Sequence, residues 1–272
     1  MRGPSNAISR RAFLAAGAAG AAAALLAACS GGDDGAHATG STTTTPSGST
    51  ATTGTSATTA APTSTAPVSP ARFVDHGPST TKRVALTFHT NGDLTLAGQL
   101  LDVLARRNTV MTAFVVGNWL DANPTWGKKL VDAGHEVANH TYTHPAFLDL
   151  SRDAMLDEVV RCRDVLARDA GSPGRYFRPS GTDDGTATPP AVVLDVASHA
   201  GYATVLGFDV DPLDYTDPGA DVVVQRTLAT VGPGSIVSLH FGHAGTVAAL
   251  PAILDGLEQR GLTPVTASTL LA

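Results

Sequence analysis

His140 and His144, in the run His140-Thr141-Tyr142-Thr143-His144, are the pair in this 272-residue chain whose type and spacing best suit chemistry. Neutral imidazoles four residues apart, on a helical turn or a tight loop, can both reach one divalent ion at about 2.1 Å. A catalytic site of that kind takes a third protein ligand, an acid or a histidine. It leaves a fourth position for a water whose pKa the ion lowers to about 7. Candidate partners follow each apolar run that reads as a strand. His89, Asn91 and Asp93 follow residues 84–88, and Arg178 follows Tyr176-Phe177. Asp209, Asp211 and Asp214 follow residues 205–208, and His240 and His243 follow residues 236–239. With the His140 loop after Glu136-Val137-Ala138, five strand ends carry His, Asp or Arg, which points to one shared site. His243 reads as peripheral, His135 as structural, Asp183-Asp184-Gly185 as a turn, and Cys162 as an inert core thiol in a helix.

The elements that must position these groups alternate along the chain. Short apolar or β-branched runs at 84–88, 110–116, 203–206 and 235–239 read as buried strands, with Tyr176-Phe177 as a shorter one. Between them Leu96, Leu100, Leu101, Val103 and Leu104 recur at helical spacing, and further helices are predicted over 155–168, 220–230 and 246–260. The alternation predicts an α/β fold with a parallel sheet, either open and doubly wound or a (β/α) barrel. Both build their sites at the carboxyl ends of the strands.

Composition bounds the partners. With 18 Lys and Arg against 24 Asp and Glu, the chain has a net charge of −6 and no basic field for nucleic acid. Residues 1–29 read as a leader: Ser9-Arg10-Arg11-Ala12-Phe13-Leu14 resembles a twin-arginine export signal, followed by an Ala/Gly/Leu run up to Cys29. Small residues before Cys29 resemble a lipoprotein cleavage site, which implies a lipid on Cys29 and a place on the outer face of the bacterial cytoplasmic membrane. A permanent membrane helix, or a soluble secreted product with an ordinary Cys29, are the alternatives. Residues 30–70 are Ser, Thr, Ala, Gly and Pro with no charge after Asp34, too poor in large apolar groups to offset the entropy of ordering, and read as a disordered linker. The catalytic domain is placed at 71–272 and expected to be a monomer.

Over residues 83–272 the chain resembles the polysaccharide deacetylases of carbohydrate esterase family 4, the NodB-homology fold, a distorted (β/α) barrel. The resemblance rests on Ala85-Leu86-Thr87-Phe88, on Gly134-His135-Glu136-Val137-Ala138-Asn139-His140-Thr141-Tyr142-Thr143-His144 and on Phe177-Arg178-Pro179-Ser180-Gly181. It also rests on Val210-Asp211-Pro212-Leu213-Asp214-Tyr215 and on Gly234-Ser235-Ile236-Val237 with His240. It implies that His140 and His144 bind a divalent metal, Zn2+ first, whose water attacks an N-acetyl carbonyl of an amino-sugar polymer. It further implies an oxyanion held by the metal and a backbone N–H near Ser180, and His240 as the acid with Asp211 supporting its charge. Arg178 would orient a carboxylate, and Asp214 and Tyr215 would face substrate.

The first motif departs from the family. Where the family has Thr-Phe-Asp-Asp-Gly, with a base and then a metal ligand, this chain has Thr87-Phe88-His89-Thr90-Asn91-Gly92-Asp93. Positive φ at Asn91-Gly92 would turn the loop so that Asp93 serves as the third ligand; the alternative is an N-cap for the helix that follows. His89 is a replacement base or a third nitrogen ligand. An inactive glycan-binding protein, and a hydrolase of O-acetyl groups or another amide, stay as alternatives. Ser180 replaces the third motif's aromatic residue and Tyr215 the fourth's Trp, which implies an altered sugar subsite.

Overall fold

The computed structural model describes residues 69–182 and 184–272, so the leader, Cys29, nearly all of the linker and Asp183 lie outside the described residues. Among the described residues seven strands are all parallel to their neighbours: β1 (Arg72–Val74), β2 (Arg83–Thr90), β3 (Thr112–Val115), β4 (Glu136–Asn139), β5 (Thr204–Leu206), β6 (Ile236–His240) and β7 (Thr263–Val265). Their order is β4-β3-β2-β6, with β7 on the first residues of β2 and β1 on β5. Single-residue bridges close the ring, Phe177 to both Asn139 and Val205, and Val210 to Val237. The result is the distorted (β/α) barrel, and the open doubly wound sheet is set aside. Tyr176-Phe177, expected as a strand, pairs through Phe177 alone. Gly174, at φ 77°, precedes it, and Pro179, which has no N–H to donate, follows.

Strand alternation places the site. On β2, Val84, Leu86 and Phe88 face the helices and pack with Leu100, Leu104, Leu250 and Ile253. Each fully buried large side chain of that layer contributes roughly 1.5–3 kcal/mol. The opposite face carries Ala85 into a second cluster with Phe114, Ala138, Leu206 and Ile236. By the period of two, Thr87 and His89 follow Ala85 onto that inner face.

Among the described residues eight helices connect or cap the strands: α1 (Leu94–Arg106), α2 (Gly117–Ala122), α3 (Thr125–Asp132), α4 (Arg152–Asp169), α5 (Ala191–His199), α6 (Ala220–Thr230), α7 (Ala244–Gln259) and α8 (Ala267–Leu270). Helices α1, α4, α6 and α7 stand where the apolar periodicity predicts them. Among the described residues no helix is long and apolar enough to cross a membrane.

Candidate active site

Arg178 is the centre of the inner face and is 1% exposed. Its Nε donates to Leu206 O (2.9 Å), its Nη2 to Gly207 O (2.8 Å) and its Nη1 to Thr87 Oγ1 (3.0 Å), and the guanidinium lies 3.8 Å over the Phe114 ring. Desolvation by burial lowers its pKa to about 9, against an opposing pull from Asp211, so it stays protonated at neutral pH.

A guanidinium has no acceptor, and this fixes the tautomers of what it touches. Arg178 Nη1 lies 3.1 Å from His89 Nε2, which therefore accepts. His89 Nδ1–H then donates to His240 Nε2 at 2.8 Å, and His240 Nδ1–H donates to Asp214 Oδ1 at 2.7 Å. The four groups form one directed chain from a buried cation to a buried carboxylate. Asp214, 1% exposed, also accepts from His240 N (2.8 Å) and Thr246 Oγ1 (2.6 Å).

This corrects two expected roles. Asp214, not Asp211, holds His240, because Leu213 in the left-handed region (φ 55°) turns the chain so that Asp214 points inward. Asp211 accepts from Leu213 N (2.8 Å) and lines the cleft, its carboxyl pKa raised by burial. Among the described residues Arg178 is bound to no carboxylate: its donors go to carbonyls, to Thr87 and to His89.

The loop with the two spaced histidines is strapped in place. Thr141 (φ 67°) and His144 (φ 59°) hold left-handed conformations that side chains rarely adopt. Glu158 of α4 accepts from Tyr142 N (2.9 Å), Thr143 N (2.7 Å) and Thr143 Oγ1 (2.8 Å), and Asn139 Oδ1 accepts from Thr141 N (2.9 Å). His140, 2% exposed, donates from Nδ1 to Arg178 O at 2.9 Å, so its Nε2 carries a lone pair, and that atom has no partner among the described residues. The His144 ring centroid is 5.0 Å from that of His140. Burial, with charge repulsion among the imidazoles, holds His89 and His140 well below the usual histidine range and lowers His144 as well.

The other predicted residues distribute as follows. Asp93 caps α1, accepting from Leu96 N at 2.9 Å, and does not line the cleft. Gly92 does take positive φ (91°), but it packs against Gly242 and leads into the cap. Ser180 is buried and not among the cleft-lining residues; its Oγ donates to Pro145 O at 2.6 Å, so an oxyanion contact from this loop falls to backbone N–H groups. Tyr215 is at the mouth, 46% exposed, its ring 5.1 Å from that of His240. His243, read as peripheral, lines the cleft and pairs with Asp217 Oδ1 at 2.9 Å. His135 accepts from Met111 N, a structural role as expected. Thr87, Thr246 and Glu158 were missed. Alternation from His89 makes Thr87 legible; nothing in the sequence marks the other two.

The donors do not complete a metal site. Among the described residues no group of three or more His, Cys, Asp or Glu could hold an ion. His140 and His144 supply imidazoles, but Asp93 is spent as a cap and Thr90, in the second aspartate's place, accepts from Val116 N through Oγ1 (3.3 Å). His89 is not the third ligand either, since both its ring nitrogens are engaged.

The cleft over this floor has a volume of about 500 Å³ and is lined by His89, His140, His144, Asp211, Tyr215 and His240, among others. In comparison with known proteins, residues 76–205 match the polysaccharide deacetylase family. A peptidoglycan-N-acetylglucosamine deacetylase of Bacillus cereus is 33% identical over 198 residues, covering 71% of this chain and 90% of that one. A chitooligosaccharide deacetylase of Sinorhizobium fredii is 34% identical over 199 residues, covering 65% and 86%. Among solved structures, a Bacillus anthracis protein described as a CE4 family pseudoenzyme superposes with a TM-score of 0.67 at 28% identity, covering 75% of this chain and 70% of that one.

Proposed function

The chain belongs to the polysaccharide deacetylase family, and on that premise we propose that it hydrolyses acetyl groups from the amino sugars of a glycan polymer. The relatives named for peptidoglycan and chitooligosaccharides support an N-acetylglucosamine polymer as the substrate. The observation that carries the reading is the chain of hydrogen bonds Arg178, His89, His240, Asp214 on the floor of a cleft large enough for a sugar ring.

His240 is oriented like a histidine that takes a proton and gives it back, with Nδ1–H on a buried carboxylate and Nε2 toward the cleft floor. Nε2 takes a proton from the attacking water as the His89 N–H yields to it, and Asp214 stabilises the imidazolium. The water oxygen bonds to the acetyl carbon. As the C–N bond breaks, the same Nε2 hands its proton to the departing amine, and the acetic acid formed loses its remaining proton to solvent as acetate. Arg178 keeps His89 neutral and in one tautomer, so His240 faces a donor and its lone pair stays aligned. No step passes through a metal, because the donor set does not complete one.

The test is acetate release from peptidoglycan and from N-acetylglucosamine oligomers, with O-acetyl sugars in parallel. Release by the parent chain with a loss of at least about 100-fold in His240→Ala supports the reading, in line with the usual worth of a positioned acid–base. A second reading, a glycan-binding protein without turnover, is favoured by the replaced aspartate pair and takes over if the glycans bind but none releases acetate. The leader and Cys29 support export and a lipid tether at the outer face of the membrane, with the domain acting as a monomer; globomycin-sensitive processing at Cys29 and light scattering are the measurements for these.

A further inference from the structure

We infer that His140 is a hydrogen-bond acceptor for the sugar substrate, not the ligand of a resident divalent ion; the substrate half of this rests on the function proposed above. Its Nε2 is a buried lone pair with no partner among the described residues, on a ring whose other nitrogen is pinned to Arg178 O. An acceptor left unpaired in the interior costs about 1–3 kcal/mol, so something must satisfy it when the cleft is filled.

An ion fits poorly for three reasons. The rings of His89 and His140 are stacked, with centroids 4.0 Å apart and planes at 17°. An ion about 2.1 Å from a nitrogen of each would lie between the planes, where neither imidazole has a lone pair, so His89 cannot join His140 and His144 as a third nitrogen ligand. Among the described residues no carboxylate completes the set, Thr90 standing at the first motif and Asp93 serving as a cap. Finally, the buried guanidinium of Arg178 stands 3.1 Å from His89, and the loss of two acidic side chains from this strand end leaves that positive charge less offset, which opposes a dication beside it.

A proton donor fits every one of these conditions. The N–H of an acetamido group or a sugar hydroxyl is neutral and needs one acceptor in the plane of the ring, and His140 is among the residues that line the cleft. The stacked His89 then serves as a wall that fixes the plane of the His140 ring, and His144 borders the same pocket.

The experiment uses the full chain. Zinc is offered, the protein is dialysed and its metal content measured, and binding of a β-1,4-linked N-acetylglucosamine tetramer is titrated in the presence of EDTA. Parent, His140→Ala and His140→Gln are compared, each checked for folding by circular dichroism. The expected result is less than about one-tenth equivalent of ion in the parent, tetramer binding that survives EDTA, and about a tenfold loss of affinity in His140→Ala. Recovery to within about threefold is expected in His140→Gln, whose carbonyl restores an acceptor at similar reach. One equivalent of zinc, lost in His140→Ala, overturns the inference and leaves the proposed activity standing. Equal tetramer affinity in the parent and His140→Ala overturns it too. A parent that neither binds the tetramer nor releases acetate from any glycan removes the proposed function and this assignment together.

Discussion

Acidification from about pH 7 to about pH 5.5 should destabilise this domain by an amount traceable to two residues. His89 and His140 are 7% and 2% exposed, and burial pulls both well below their ordinary pKa of 6.5. In the fold they stay neutral through this window; in the unfolded chain they protonate near 6.5. The unfolded state therefore binds more protons, and the stability of the fold rises with pH here and is lost on acidification. A histidine protonated only when unfolded favours unfolding by RT ln(1 + 10^(6.5 − pH)), about 1.4 kcal/mol at pH 5.5 and about 0.2 at pH 7. The two together cost about 2.5 kcal/mol across the window. The buried His135 and the more exposed His144 shift the same way and add to it. Carboxylates whose pKa is lowered, such as Asp121 and Asp184, lose their contribution only at lower pH. The assay is urea unfolding of the full chain in EDTA, followed through the packed pair Trp119 and Trp126, whose ring centroids are 5.4 Å apart. His140→Gln removes one titrating group, so its loss across the window should be smaller by about 1.2 kcal/mol. A stability that is flat or rising as the pH falls, or a His140→Gln slope equal to the parent's, refutes the assignment of buried neutral imidazoles.

Asp214→Asn replaces an acceptor of three hydrogen bonds by a group with one acceptor oxygen, so an unfolding free energy lowered by about 2–3 kcal/mol in urea titration and acetate release lowered at least about 100-fold are expected. Glu158→Gln removes the charge that straps the His140 loop. A loss of about 1.5–3 kcal/mol is expected, with faster amide exchange at Tyr142 and Thr143 as the local readout. Gly207→Ala sets a Cβ against the Gly185 carbonyl and the Phe73 ring beneath Arg178. It should cost about 1–3 kcal/mol in thermal unfolding, whereas Gly201→Ala, with open space but a strained φ of 93°, should show its cost as backbone strain without disturbing Arg178.

The parts of the molecule legible in sequence are those with long repeats. Helices α1, α4, α6 and α7 each present several turns of apolar spacing, and β2, β3 and β6 are continuous apolar runs. Helices α2, α3, α5 and α8 and strands β1 and β7 span three to nine residues, too few to show a period. At the site, residue types that end strands were readable, and His89, His140, His144, Asp211, Tyr215 and His240 all line one cleft, with the buried Arg178 bonded to His89. The pairing among them was not. Whether Asp211 or Asp214 turns inward depends on one left-handed residue, Leu213, and a leucine gives no sign of that conformation. Asp93 was balanced between ligand and cap, and the backbone of the first turn of α1 claimed it.

The seam closing the barrel gives Arg178 a second employer. Between β5 and the Val210 bridge the ring has no ladder, and two carbonyls, Leu206 O and Gly207 O, are turned to the guanidinium. The side chain thus stands where a neighbouring strand's N–H groups would be, and deleting it would strand two interior acceptors whatever happened in the cleft. A protein of this architecture that had lost its chemistry altogether would still be obliged to keep an arginine here. Its presence in a chain testifies to a closed barrel, and evidence of turnover has to be sought at His240 and Asp214.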